Sequence, residues 1–120
     1  MWKYEAEMSA VGDPHITSIW GCRFEADKKK TEEVLMSCDK DELKIRYSKS
    51  WSYHIFEVET KIDDVVTVYH HSYLKHAQRK RICGNTIEFH RYFSGINVRV
   101  VELQNDKISG LFNNSRCVTP

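Results

Sequence analysis

The stretch of the chain most suited to chemistry is Gly12-Asp13-Pro14-His15, near its start. In an Asp-Pro bond the Asp13 carboxyl can attack its own carbonyl carbon, and the tertiary amide nitrogen of Pro14 leaves more readily than an ordinary amide nitrogen. Partial burial that raised the pKa of the Asp13 carboxyl would favour the reaction. The same residues also suit a plain turn before a strand, because Gly, Asp and Pro each favour turns. Self-cleavage and a simple turn are therefore both open.

A second candidate site is the basic segment 75–81, which we expect to form a loop between two strands. Four of its seven residues are Lys or Arg, and a tyrosine precedes it with an aromatic face for stacking. Such a loop could bind sulfated glycan, phosphate or acidic protein, although it could equally be an ordinary solvated loop. The net charge of the chain is only +1, so we do not expect nucleic acid binding. The candidate binding residues are Lys75, Arg79, Lys80, Arg81 and Tyr73.

The six histidines form no recognisable metal-binding motif. His70 and His71 are adjacent, so a regular strand would point them to opposite faces. His54, His71 and His90 could meet across neighbouring strands and, with Glu88, hold zinc or a catalytic water. Histidines in strands more often lie on the surface or pack, and the sequence contains neither a Gly-x-Ser-x-Gly motif nor a glycine-rich phosphate loop. We therefore expect no metal, no cofactor and no enzyme that turns over a substrate.

Four cysteines are candidates for two disulfides. Their separations of 16, 45 and 34 residues suit no compact zinc site, and they include no Cys-x-x-Cys pair. An oxidising compartment would favour two disulfides, whereas a reducing one would leave four buried thiols. The sequence permits three pairings and selects none. The four candidates are Cys22, Cys38, Cys83 and Cys117.

Alternation of apolar and polar residues runs through most of the chain and predicts strands. Within 54–62, we expect the alternate residues from Phe56 to Ile62 to face inward. An acidic turn at Asp63-Asp64 should join two strands in a hairpin, and the doubled Val100-Val101 predicts a bulge. The clearest predicted strands are 42–47, 54–62, 65–69, 86–89 and 96–103.

The length and composition fit one globular β domain covering 1–120. A chain of 120 residues can bury one core, and 41% hydrophobic with 29% charged residues is typical of a globular protein. No stretch approaches the ~20 apolar residues of a membrane helix, so we expect no membrane insertion, and the first residues do not resemble a signal peptide. A secreted protein would thus be represented here by its mature part. The predicted fold is an all-β, antiparallel β-sandwich of about eight or nine short strands without a long helix.

Two parts of the sequence resemble the von Willebrand factor type D domain. The Gly12-Asp13-Pro14-His15 motif, followed by Thr17, Gly21 and Phe24, resembles the opening of that family. Segments 95–100 and 107–114 resemble its late strand and its Gly-Leu-Cys-Gly-Asn loop. The resemblance spans most of the chain and implies two packed antiparallel sheets that act in extracellular interaction and assembly. Several relatives of that family break their chain between Asp and Pro of this motif. The resemblance therefore implies a scissile bond at Asp13-Pro14, with the Asp13 carboxyl as the nucleophile and His15 as a nearby proton donor.

The chain departs from that family at an early calcium-binding position and in the late loop. Trp20 stands where the family has an Asp, Phe112 stands where it has a Cys, and Arg116 adds positive charge to the late loop. Because calcium needs six to eight oxygen ligands, we expect none to bind, and we expect an altered disulfide pattern. Asn113 begins an Asn-Asn-Ser pattern and is a candidate for N-glycosylation.

The sequence thus predicts a non-catalytic interaction or assembly module of an extracellular or cell-surface protein. Its expected partner is another protein or a matrix component, and its contact points would be Trp2, Trp20 or Trp51 together with the basic loop. The alternatives are self-processing at Asp13-Pro14 and binding of a sulfated glycan through 75–81. The sequence names neither the partner nor the oligomeric state.

Overall fold

A computed structural model of the chain describes residues 9–11, 15–48, 54–93 and 95–114. Within these ranges, ten strands form two antiparallel sheets, and the helical segments are two short 3-10 turns at His71–Tyr73 and Leu111–Asn113. The predicted all-β sandwich without a long helix is confirmed. The strands are β1 (Ser9–Val11), β2 (His15–Thr17), β3 (Arg23–Glu25), β4 (Glu32–Ser37), β5 (Glu42–Ser48), β6 (His54–Ile62), β7 (Val65–His70), β8 (Gln78–Ile82), β9 (Asn85–Tyr92) and β10 (Gly95–Glu102).

The two sheets enclose the hydrophobic core between them. One sheet has six strands in the order β3-β2-β1-β10-β9-β8, and the other has four in the order β4-β5-β6-β7. Phe89 and Phe112 are the largest fully buried side chains. The rings of Tyr69 in β7 and Phe89 in β9 meet edge to face across the sheets, with centroids 4.9 Å apart. Burial of each large apolar side chain contributes about 1.5–3 kcal/mol, so these contacts hold the sheets together.

The middle strands of the four-stranded sheet follow the predicted alternation closely. Leu43, Ile45 and Tyr47 of β5 are buried, as expected. In β6, Val58 and Thr60 are buried, but the prediction for Phe56 is wrong, since Phe56 is only half-buried and Ile55 is buried instead. The cause is a bulge: the register with β5 shifts between Arg46 and Tyr47, so that the alternation in β6 changes face at this point.

A second bulge lies in β10, where the register with β9 shifts between Val100 and Glu102. This shift confirms the bulge predicted from the doubled valines. A third bulge lies in β4, between Val34 and Met36, and it leaves Leu35 and Met36 both fully buried. Bulges thus decide which residues reach the core in both sheets.

The predicted acidic hairpin turn joins β6 to β7. Asp63 and Asp64 have φ angles of 49° and 66°, and Ile62 pairs with Val65 across the turn. Two successive positive φ values define a type I′ turn, which matches the twist of paired strands. The Asp41 carboxylate accepts hydrogen bonds from the backbone N–H of Asp63 at 3.0 Å and of Cys83 at 2.8 Å. Asp41 therefore connects this hairpin to the other sheet.

A disulfide between Cys38 and Cys83 joins the ends of β4 and β8, so it links the two sheets covalently. Cys22 is also disulfide-bonded. The sequence left open whether these cysteines are thiols or form disulfides, and in the structure they form disulfides. Among the described residues, no helix has the length and apolar character that crossing a membrane requires.

Candidate functional site

Exposed apolar side chains gather along β7, the last strand of the four-stranded sheet. Val65 is 66% exposed, Val66 55% and Val68 49%, and Tyr73 in the following 3-10 turn is 82% exposed. A strand in the middle of the sheet would bury one face of such a sequence. Because β7 lies at the edge, both faces of its first four residues remain exposed to solvent. We call Val65, Val66, Val68 and Tyr73 the apolar edge.

A groove of about 470 Å³ lies beside the apolar edge, between the end of β7 and the start of β8. Its walls combine apolar and basic groups, and none of the described residues that line it is acidic. Lys80 of β8 stands 5.9 Å above the ring of Tyr69, close to the groove. The groove therefore suits a ligand with apolar groups and a negative charge. Its lining includes Val68, Tyr69, His70, Tyr73, Lys75 and His76.

Three histidines lie close together beside the groove: His70, which lines it, His71 and His54. β7 ends at His70 and a 3-10 turn begins at His71, so the regular strand on which the opposite-face prediction depended is interrupted. The two imidazole rings lie 5.0 Å apart, and His70 Nδ1 accepts a hydrogen bond from the Ser72 N–H at 3.1 Å. Burial lowers the pKa of His71, and the charges of His70, Arg91 and His54 lower it further. The surroundings of His71 therefore favour its neutral form.

The proposed zinc group of His54, His71, His90 and Glu88 does not assemble. The rings of His54 and His71 approach to 6.3 Å, but Glu88 bonds to Arg79 at 2.9 Å and to Arg99 at 2.8 Å. Those two hydrogen bonds are the main reason that the pKa of Glu88 is lowered. In the described part of the chain, the one group with metal-ligand spacing is Cys38, Asp41 and Cys83. The sulfur atoms of its two cysteines are joined to each other in the disulfide.

The basic segment is not a single loop, and this part of the prediction is corrected. Residues 78–82 form the edge strand β8, because Gln78 to Ile82 pair in register with β9. Strand alternation leaves Arg79 and Arg81 exposed and turns Lys80 toward the core, where it is half-buried. Arg81 donates a hydrogen bond to Gln104 at 2.7 Å. The candidate cations therefore lie on different surfaces, and Lys75 is the one that lines the groove.

The late loop packs against the segment that contains Trp20. The Trp20 indole N–H donates a hydrogen bond to Asn113 Oδ1 at 2.9 Å, and the Ile19 N–H donates to the Phe112 carbonyl at 2.8 Å. Asn113 also donates from Nδ2 to the Ile108 carbonyl at 2.6 Å. Both polar atoms of the candidate glycosylation side chain are thus engaged within the fold. Trp20 is half exposed, so it stays a candidate contact residue.

Several predicted site residues fall outside the described residues. They include Asp13, Pro14 and the cysteine Cys117, as well as the tryptophans Trp2 and Trp51. His15 is described: it begins β2, is exposed, and has its Nδ1 4.0 Å from a Glu25 carboxylate oxygen. Self-cleavage at Asp13-Pro14 therefore stays a prediction.

No family model matches the chain, and no curated protein or solved structure matches it.

Sequence reasoning missed the apolar edge. Residues 65–69 were predicted as an ordinary strand, and their exposure depends on which strand ends the sheet. The one local signal was the unbroken run Val65-Val66-Thr67-Val68, in which no polar face alternates with the apolar one.

Proposed function

We propose that this chain is a non-catalytic interaction or assembly domain of an extracellular or cell-surface protein, as the type D resemblance implies. The observation that carries the proposal is the apolar edge beside a basic-lined groove. Apolar side chains that gather on one part of a surface are typical of sites that bind proteins. Tyrosine is enriched among the residues that dominate binding energies, and Tyr73, which lines the groove, is 82% exposed.

The rest of the four-stranded sheet supports this choice of surface. Its outer face carries a network of ion pairs, in which Arg46 approaches Glu59 at 2.7 Å and Glu57 at 3.5 Å. Lys44 lies 3.5 Å from Glu32 on the same face. Charged side chains that already pair with one another contribute little to the free energy of binding a partner. Burial of the apolar edge against a partner is favourable, because it removes apolar surface from water.

The cysteines support the extracellular part of the proposal. The bond between Cys38 and Cys83 and the bonded state of Cys22 fit a compartment in which disulfides persist. In a domain of this size, such cross-links supply a large share of the stability, which suits a module that must remain folded outside the cell.

A binding experiment tests this proposal. The chain, with its disulfides intact, would be immobilised and incubated with an extracellular-matrix extract, beside a Val66→Ser/Val68→Ser/Tyr73→Ala variant. Tyr92→Ala is a matched control, because Tyr92 is also an exposed aromatic but lies in the other sheet. We expect matrix proteins to be retained by the wild type and the control and to be lost from the triple variant. Equal retention by all three chains would refute the proposal, provided that their thermal unfolding agrees.

Binding of a sulfated glycan is the second candidate function, because the lining of the groove, among the described residues, contains Lys75 and His76 and no Asp or Glu. Elution from a heparin column separates the possible contacts. Lys75→Ala/Lys80→Ala should elute at lower salt than the wild type, and Arg79→Ala should elute almost unchanged, because Arg79 already pairs with Glu88. An unchanged elution of the lysine variant would exclude the groove as a glycan site.

A further inference from the structure

The strand β7 lacks the features that prevent edge strands from pairing with other chains. Edge strands usually carry charges, prolines or bulges that block such pairing. β7 has the sequence Val-Val-Thr-Val-Tyr-His, with no Lys, Arg, Asp, Glu or Pro. Its register with β6 runs from Ile62 and Val65 to Glu57 and His70 without a shift.

The other three edge strands each carry such a feature. β8 contains Arg79, Lys80 and Arg81 in succession. β4 begins with two glutamates, contains a bulge, and has its end paired with Ser109 by an isolated bridge. β3 has only three residues, and two of these are charged. Among the four edges of the described sheets, β7 alone is open to another strand.

We infer that the β7 edge pairs with the β7 edge of a second copy of this chain, in an antiparallel arrangement that joins two four-stranded sheets into one. The inference rests on the proposed function and names the partner.

The hairpin turn fixes which backbone groups of β7 are free. In a type I′ turn the flanking residues, Ile62 and Val65, form a hydrogen-bonded pair, and hydrogen-bonded pairs then recur at every second residue. Val65, Thr67 and Tyr69 therefore bond to β6. Val66, Val68 and His70 direct their N–H and C=O groups away from the sheet, toward a second strand.

Two-fold symmetry then selects one register that uses the whole strand. Centred on Thr67, it places Thr67 opposite Thr67 of the second copy and Val66 opposite Val68. Val65 then faces Tyr69, and Asp64 faces His70. No charged group meets a like charge in this register, and the paired valines cover one another's exposed surface.

Charge complementarity at the ends supports the same register. The antiparallel arrangement brings the Asp63-Asp64 turn of one copy to the end of β7 where the other copy has its groove. That groove is lined by His70, Lys75 and His76, and by no acidic side chain from the part of the chain that the structure describes. The Asp64 side chain is 71% exposed, and its described ion pair is a long one, 3.9 Å from Lys61. The Asp64 carboxylate is therefore accessible to a basic group of a second copy.

Sedimentation analysis of the pure chain, with disulfides intact, tests the inference. A weak dimer held by one short strand pair should have a dissociation constant on the order of 10 µM, so the mass should rise from 14.2 kDa toward twice that value between about 1 and 200 µM. Val68→Lys should stay monomeric at every concentration. Its fold should be preserved, because the new lysine would lie opposite Glu59 of β6, which carries the opposite charge. Tyr92→Lys adds the same charge at an exposed position in the other sheet and should dimerise like the wild type.

Two further variants separate loss of pairing from loss of folding. Val68→Pro removes only an N–H that points away from β6, so it should fold and stay monomeric. Thr67→Cys should form a covalent dimer under air oxidation, because the facing residues at the symmetry axis form a non-hydrogen-bonded pair about 4.5 Å apart at Cα. Val66→Cys, whose equivalent residue lies two positions away along the partner strand, should form far less covalent dimer.

A wild type that remains monomeric at about 200 µM would overturn the inference. So would a dimer that persists in both Val68 variants. A monomer that still retains matrix proteins through the apolar edge would overturn the inference, leave the proposed function standing, and show that the apolar edge binds another protein instead of a second copy. A wild type that neither retains matrix proteins nor dimerises would refute the proposed function and this inference together.

Discussion

The sharpest stability test lies at Gly110, where the late loop rests on the bulge of β4. Gly110 has φ 106° and ψ −178°, a backbone conformation open essentially to glycine alone. A Cβ atom added there would lie 2.7 Å from the carbonyl carbon and oxygen of Leu35 and 2.9 Å from the carbonyl oxygen of Val34. Gly110→Ala therefore imposes both backbone strain and a steric clash with main-chain atoms that cannot rotate away.

The two costs can be separated with Gly21→Ala as the control. Gly21 has φ 77°, and a Cβ there would meet nothing within 4 Å. We expect Gly21→Ala to cost about 1–2 kcal/mol, from backbone strain alone. Gly110→Ala should cost about 3–5 kcal/mol, because displacement of the β4 backbone adds to a strain of about 1–3 kcal/mol.

Thermal unfolding by circular dichroism, with disulfides intact, would measure the difference. At roughly 4 °C per kcal/mol for a domain of this size, Gly110→Ala should lower Tm by about 12–20 °C and Gly21→Ala by about 4–8 °C. Equal losses at the two positions would show that the contact between the Gly110 loop and β4 does not contribute, and would refute this account of the loop.

Three further predictions concern the disulfide, an acidic group and the Asp-Pro bond. Replacing Cys38 and Cys83 with alanine should lower the free energy of unfolding by about 4 kcal/mol in denaturant titrations, because the bond closes a loop with a sequence separation of 45; no change would contradict its stabilising role. Two arginines lower the pKa of Glu88 in the folded chain. The stabilisation from this carboxylate is therefore complete above the pKa of an unfolded Glu, about 4.3, and is lost as the pH falls through the folded pKa. Between about pH 5 and 3 the Tm of Glu88→Gln should fall less than that of the wild type, and parallel curves would argue against the pairing. Intact mass spectra at about pH 5 to 7 should show a single full-length chain, and fragments ending at Asp13 that vanish in Asp13→Ala would instead establish self-cleavage.

Period-two alternation was sufficient to predict the fold class and most strands. The reason is physical: one face of each inner strand packs on the opposite sheet, so its residues must be apolar. Leu43, Ile45 and Tyr47 follow this rule and are buried. Phe56 does not, because a bulge changes the face of β6, and a bulge depends on the partner strand as much as on the strand itself.

The candidate site was harder to predict, because it depends on the order of strands in each sheet. The basic segment reads as a loop in the sequence, yet 78–82 pairs with β9, and its alternation separates Lys80 from Arg79 and Arg81. No local sequence pattern predicts that 78–82 pairs with β9, which follows it after the Cys83-Gly84 turn. Only the assembled sheet shows that Lys75 alone among the four cations lines the groove.

Position in the sheet also explains why β7 and β8 have opposite chemistry although they end neighbouring sheets. Each strand exposes a row of backbone donors and acceptors, and such a row binds any strand that reaches it. In β8, three successive cations repel a second copy of the same edge. In β7, valines and a threonine make the edge compatible with itself, and the strand contains no Lys, Arg, Asp or Glu that would repel its counterpart in a second copy. An edge that is protected in one sheet and open in the other directs association to a single place, so a domain of this kind can pair without forming an extended aggregate.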